Sequence, residues 1–239
     1  HLAHLERLGL LPTGYIYPKE ERALRDLLRR RLLLVRQRSL HHVSLQSLIA
    51  RHSGQRLNTL QIKQLTKKRL TDYLQGHALL AGEITHQARC WLEAAVTKIE
   101  QELKRHIQPR NDYQLLQSMP GVGSVLGTTI ALETGTIERF ASPGNYASYA
   151  RCVKAEKTSN KKRKGQGNKK NGNKYLAWAF MEAAHYSAIW SPEIKRYYQR
   201  KKARAHILVA KKAVANKLAR ACYHMLKRGE AFDVNRAFR

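Results

Sequence analysis

Among the serines of the 239-residue chain, Ser159 has neighbours that could make it a nucleophile: Lys161, Lys162, Arg163 and Lys164 follow within five residues. A hydroxyl is a weak nucleophile, but cations this near would stabilise the charge that develops on an attacked phosphate. No local His or Asp completes a triad, so on the residues alone the plainer reading, a solvated serine, prevails. The surrounding stretch, 153–176, adds Lys154, Lys157, Lys169, Lys170 and Lys174, the glycines Gly165, Gly167 and Gly172, and one acid, Glu156. Such a segment cannot bury a core. It is expected to stay extended until a polyanion gathers it in, between apolar helical segments on either side.

The rest of the composition supports that partner. The hydrophobic content of 43% is that of a folded chain, whereas 45 Lys and Arg against 17 Asp and Glu give a net charge of +28. Self-repulsion on this scale is tolerated where phosphates neutralise it, so nucleic acid is the expected partner. The basic residues are spread over several segments, which argues against a membrane-surface helix, and no apolar run reaches spanning length. Cys90, Cys152 and Cys222 are odd in number and far apart. They suggest neither a disulfide framework nor a zinc site, and fit a reducing, cytoplasmic setting. Asp26, Asp72, Asp112 and Asp233 are scattered, and His41-His42 lacks further ligands. No metal site is expected within the chain.

The elements that must position these residues read as helices. A helix end over 1–11 gives way to an extended 15–18, followed by a long helix over 19–50 with Leu24, Leu28, Leu32 and Val35 inward and His52-Ser53-Gly54 at its end. A shorter helix is expected over 60–75, stopped by Gly76. A second long one over 83–107 carries Ile84, Ala88, Trp91, Ala95, Ile99 and Leu103 as its inward stripe, a partner for the first in a coiled coil or helical hairpin. Beyond 110 comes Pro120-Gly121-Val122-Gly123 and an apolar helix over 124–134. That turn resembles a helix-hairpin-helix element, in which glycines allow close approach and free amides meet a phosphate; a purely structural turn would use the same Gly121 and Gly123. Ser142-Pro143 starts a helix to 151 that presents Tyr146 and Tyr149, 173–190 forms an apolar helix, and Ser191-Pro192 starts the last, with or without a break near Ala205, with Ile207, Ala210, Val214, Leu218, Ala221 and Met225 inward and Gly229 at its end. No alternating run is long enough for a sheet, so the expected fold is mainly α.

In order, Pro120-Gly121-Val122-Gly123, Tyr146-Ala147-Ser148-Tyr149-Ala150, Ser159 with its Gly/Lys/Arg-rich tail, and Asn171-Gly172-Asn173-Lys174-Tyr175-Leu176 resemble the C-terminal domain of the bridge-RNA-guided insertion-sequence transposases, serine-dependent recombinases related to the Piv-type DNA invertases. The run from Tyr17 to Leu28 resembles their interdomain region. That resemblance implies an N-terminal RuvC-like domain whose Asp-Glu-Asp-Asp tetrad binds magnesium, a helical coiled-coil region, and a domain with a nucleophilic serine. His1 would begin just after the tetrad, leaving 1–18 as the tail of a truncated RuvC-like domain, 19–110 as the coiled coil and 111–239 as the transposase domain with Ser159. No cofactor is then expected within this chain, magnesium belongs to the absent domain, and the chain alone is expected to be inactive. Where the family often reads Ser-Gly-Gly-Lys, this chain reads Ser159-Asn160-Lys161-Lys162, and Asn adopts positive φ less freely than Gly.

The resemblance implies RNA-guided cleavage and rejoining of DNA strands through a covalent phosphoserine. Its partners would be a guide RNA, donor and target DNA, and further copies of the chain in a dimer or tetramer. The nucleic-acid contacts expected are Lys154, Lys157, Lys161, Lys162, Arg163, Lys164, Lys169, Lys170, Lys174, Gly121, Gly123 and Tyr149. The competing reading is a non-catalytic nucleic-acid-binding protein whose loop and turn are only phosphate clamps, with a coiled-coil scaffold as a third.

Overall fold

The structure is a computed structural model describing residues 2–10, 14–153, 156–160, 162–166 and 171–238. The described residues are mainly α, in eleven helices and one hairpin: α1 (Leu2–Arg7), α2 (Lys19–Ser53), α3 (Thr59–Gln64), α4 (Gly76–Ile107), α5 (Asn111–Gln117), α6 (Ser124–Thr134), α7 (Pro143–Tyr149), β1 (Glu156–Ser159), β2 (Lys162–Gln166), α8 (Lys174–Trp190), α9 (Pro192–Lys202), α10 (Ile207–Arg228) and α11 (Val234–Phe238). None of the described helices is long and apolar enough to cross a membrane. The chain divides into two compact units, Leu24–His106 and a second made of His1–Ala23 with Ile107–Arg239.

In the first unit α2 and α4 pair in opposite directions. Arg31 bonds Glu100 and Arg38 bonds Glu93, around a seam of Leu34, Leu92 and Val96. The inward face of α4 matches the expected stripe only in part: Leu103 is buried and Ala95 and Ile99 pack on the seam, but Leu92 and Val96 are its buried centre, while Ile84 and Trp91 are 60% and 65% exposed. Leu103 belongs to the expected stripe, and Leu92 and Val96 lie one position beyond Trp91 and Ala95, a shift that helical spacing alone does not resolve. α4 also begins at Gly76, seven positions earlier than expected.

The helix expected over 60–75 is split. Asn58 and Gln61 form a capping box that starts α3, and Leu65 leaves helical geometry, its carbonyl contacting the His86 ring of α4 at 2.7 Å. A 3-10 turn then covers Lys68–Asp72. Leu65, Leu70 and Leu74 join Leu45, Ile49 and Ile62 in a compact apolar cluster.

The second unit is built around α6, in which Leu126 to Thr134 are all buried. Such a helix has no polar face and must be surrounded; α5 and α8 pack on it, and α10 packs on α7, α8 and α9. Local signals fix the helix ends. Ser142 and Ser191 accept hydrogen bonds from Asn145 N and Ile194 N, with Pro143 and Pro192 following. Gly229 takes a left-handed conformation (φ +69°) at the end of α10. Two expectations fail here. Tyr146 is not presented outward but fully buried, edge-on to Phe140 and Phe180, its hydroxyl 2.7 Å from Thr134 Oγ1. Burial pushes its phenol well above the usual pKa. Ile207 is exposed along with Leu208 and Val209, and the inward face of α10 starts at Ala210. Residues 203–206 form a turn between α9 and α10, at the break expected near Ala205, so the first turn of α10 does not continue the face of α9.

Candidate functional site

The basic stretch leaves the second unit after α7 and returns at α8, and its two ends are tied together. Leaving, Arg151 adopts φ +56° and Cys152 N donates to Ala147 O at 2.9 Å. Cys152 is buried, which pushes its thiol up to about 12. Its carbonyl accepts from Asn216 Nδ2 of α10 at 3.3 Å. Returning, Gly172 adopts φ +84°, and a Cβ there would come within 2.5 Å of Tyr149 O. Only glycine fits. The Gly172 carbonyl accepts from Arg151 Nε and Nη2 at 3.2 and 2.9 Å.

Asn173 closes the stem with every polar group engaged. Its N–H donates to Tyr149 O at 2.6 Å, and its Oδ1 caps α8 by accepting from Tyr175 N and Leu176 N. Its Nδ2 donates to Glu133 Oε2 at 2.7 Å, both side chains being buried. Glu133 and Arg151 were not anticipated. The available signal for Glu133 was its position as the sole charged residue in the apolar 124–134 segment. Tyr149 lies half-buried beside this stem, with the Arg139 guanidinium 4.5 Å from its ring centre.

Beyond the stem part of the extended stretch is paired: β1 and β2 form a two-stranded antiparallel hairpin, which no alternating apolar run had signalled. The register explains how so basic a segment pairs. Lys157 faces Gly165, Thr158 faces Arg163 and Ser159 faces Lys162, so no two cations are opposite each other. The register shifts by one residue after Lys157, a bulge that leaves Lys164 over. Asn160 takes φ +49° in the turn, the left-handed conformation that a hairpin of this length favours and that Asn accepts better than most residues.

Ser159 is thus the last residue of β1, exposed, with exposed Lys162 directly across the ladder. Directly paired residues project from one face with Cβ atoms about 5 Å apart. The lysine ammonium can reach an anion bound at the serine hydroxyl. Exposed Lys164 lies on the same short hairpin, and Lys174 is exposed in the first turn of α8. Lys157 and Arg163 are placed by their backbone in β1 and β2, whereas Lys154, Lys161, Lys169 and Lys170 lie outside the described residues.

The second expected contact, the α5–α6 turn, has two unlike glycines. Gly121 (φ +78°) has no room for a Cβ, which would collide with the α8 backbone at Tyr186 and Ser187. Gly123 precedes α6 with open space around it and no side-chain cap, leaving the first amides of α6 free of a local acceptor. Gly121 is accounted for by helix packing and Gly123 faces outward. The turn borders a cavity of about 560 Å³ that also takes in Tyr186 and Trp190. Among the described residues no three His, Cys, Asp or Glu side chains come together.

Residues 113–199 match the model of the Transposase IS116/IS110/IS902 family. The matched stretch runs from α5 through most of α9 and includes the α5–α6 turn, Glu133, the stem and Ser159. The chain is 26% identical over 155 residues to the transposase for insertion sequence element IS1328 of Yersinia enterocolitica, covering 62% of this chain and 46% of that protein. It is 22% identical over 123 residues to the insertion element IS116 uncharacterized 44.8 kDa protein of Streptomyces clavuligerus, covering 52% and 31% respectively. The chain therefore spans less than half the length of either relative.

Proposed function

We propose that this chain is part of a DNA transposase that cuts and rejoins strands through Ser159, guided to its DNA by base pairing with an RNA. One observation carries the reading: within the stretch that matches the transposase family, the serine sits exposed at the end of a β-strand, directly across from a lysine, on a stem fixed by buried hydrogen bonds. In the chemical step the Ser159 hydroxyl loses its proton, Oγ bonds to phosphorus, and a P–O ester bond to the neighbouring nucleotide breaks, its oxygen leaving as a sugar hydroxyl. Attack by that or another sugar hydroxyl on the phosphoserine reverses the exchange and rejoins DNA. Lys162 stabilises the charge on the pentacoordinate phosphorus, and Lys164 and Lys174 hold neighbouring phosphates. The stem positions the hairpin.

Guide RNA and DNA supply the sequence readout by pairing, while the protein grips backbone and shape. Copies of the chain associate through the exposed apolar positions of α2 and α4, giving the dimer or tetramer in which strands exchange.

The test is Ser159→Ala in a protein extended by a RuvC-like domain. Cleavage and exchange should vanish, RNA and DNA binding should persist, and stability should move by no more than about 0.5 kcal/mol, as for other exposed positions. The unsubstituted protein should yield a DNA adduct that survives denaturation. Normal recombination by the alanine variant would leave the hairpin as a phosphate clamp only.

A further inference from the structure

A second concentration of positive charge lies in the other unit, Leu24–His106. Arg89 of α4 is only 5% exposed. Its partners are sparse for a buried guanidinium: Nη1 lies 3.6 Å from Glu93 Oε2, Nη2 donates to Cys90 Sγ at 3.6 Å, and Nε is buried with no hydrogen-bond partner among the described residues. Glu93 is shared, because Arg38 Nη1 donates to its other oxygen at 3.0 Å. One carboxylate thus serves two guanidinium groups. His42 Nε2 is another buried nitrogen without a partner among the described residues. Burial, then the charges of Arg89, Lys63 and Arg38, hold the His42 imidazole below its ordinary pKa, against an opposing effect of Glu93. Cations with unused donors are costly to bury unless an anion completes them.

Arg89 also lines a surface cavity of about 540 Å³, together with Lys63 of α3 and Glu93, Thr97 and Lys98 of α4. Three cations and a hydroxyl face one acid there. Arg89 is buried while Lys63 and Lys98 are exposed, so the cavity offers one deep fork and two outer ammonium groups. The planar fork of arginine matches a phosphate, and flexible lysines suit its neighbours along a strand. We propose that the cavity lined by Lys63, Arg89 and Lys98 binds a phosphodiester of a nucleic-acid backbone. With a chain charge of +28, nucleic acid is the polyanion this surface attracts over distance. The inference rests on the nucleic-acid part of the proposed function and is independent of Ser159.

The experiment measures binding of the full chain to a 20-nucleotide single-stranded RNA, the same sequence as single-stranded DNA, and the corresponding DNA duplex, across a salt series. Each neutralised phosphate contributes about 0.7 to 0.9 to the log-log salt slope, so the double variant Lys63→Gln/Lys98→Gln should lower it by about 1 to 2 units. The probe that loses slope identifies RNA or DNA as the occupant. Arg89→Met should weaken binding of the same probe without lowering the melting temperature, because the fold gains little from an underpaired buried cation. Unchanged slopes for all three probes with the lysine variant would overturn the proposal. So would an Arg89→Met protein that melts earlier yet binds normally. A parallel Lys162→Gln/Lys164→Gln variant separates the two readings: slope lost only there leaves the hairpin reading intact and removes the Arg89 site, whereas slope lost in neither variant removes both.

Discussion

α6 and α4 bury their apolar residues in different ways, and the difference shows in how each handles charge. α6 is enclosed on every side, and its single ionisable group, Glu133, receives a 2.7 Å hydrogen bond from Asn173. α4 is buried along one stripe, leaves Leu80, Ile84 and Trp91 to solvent, and carries Arg89, whose carboxylate partner at 3.6 Å, Glu93, is shared with Arg38. A fully enclosed helix can hold a charge only when the fold itself supplies the partner. A half-buried one can leave charge and apolar surface for something outside the chain. The lesson is that the one ionisable group of α6 is met by the fold itself, whereas Arg89 on α4 is met only in part.

The strongest way to break this comparison is Asn173→Ala. It removes the cap of α8 and one donor to buried Glu133, for a combined cost of about 2 to 4 kcal/mol. Urea unfolding would measure it, and a loss under 1 kcal/mol would mean that Glu133 does not depend on the stem.

A smaller effect sharpens the comparison through pH. Burial and neighbouring arginines hold His42 in one unit and His224 in the other below the ordinary value of 6.5; for His224 the neighbours are Arg228, Arg236 and Arg220. The unfolded chain then takes up protons first as pH falls. Stability contributed by the neutral rings is present above about 6.5 and is lost as pH drops through the folded values. His42→Gln should flatten that acid limb in the hydrogen exchange of 24–106 and leave the limb of 107–239 unaltered. Equal flattening in both would show that the two units titrate as one.

The smallest expected change in stability is for Ile84→Gln/Trp91→Gln, within about 0.5 kcal/mol, since both side chains are exposed. Light scattering should nonetheless show weakened self-association. A variant that associates normally would remove these positions from any interface between copies.

Much of the helical order was legible because it is written in local chemistry. Ser142-Pro143, Ser191-Pro192 and Gly229 cap or end helices through their own backbone preferences, and the apolar 124–134 segment could only be an enclosed helix. The inward face of α4 was legible only in part: Ala95, Ile99 and Leu103 face the seam as their spacing suggested, but spacing could not pick Leu92 and Val96 over their neighbours as its centre. The hairpin was hidden for another reason. Its strands lack apolar alternation and are specified by which residue faces which, a long-range property of the register. At the site, the serine and its basic neighbours were visible in sequence, but not the lock beneath them. Glu133 and Asn173 are 40 residues apart, and only folding brings them to 2.7 Å.

The stem also has a consequence for how this region can change over generations. Arg151, Gly172 and Asn173 close the excursion at its base with bonds to backbone atoms and to Glu133, none of which depends on residues at the tip. The entropic cost of a longer loop grows slowly, by about 0.6 kcal/mol for each doubling of length. The helices below therefore place little demand on the length of the segment between Cys152 and Gly172, and any constraint on its serine and cations comes from what they bind.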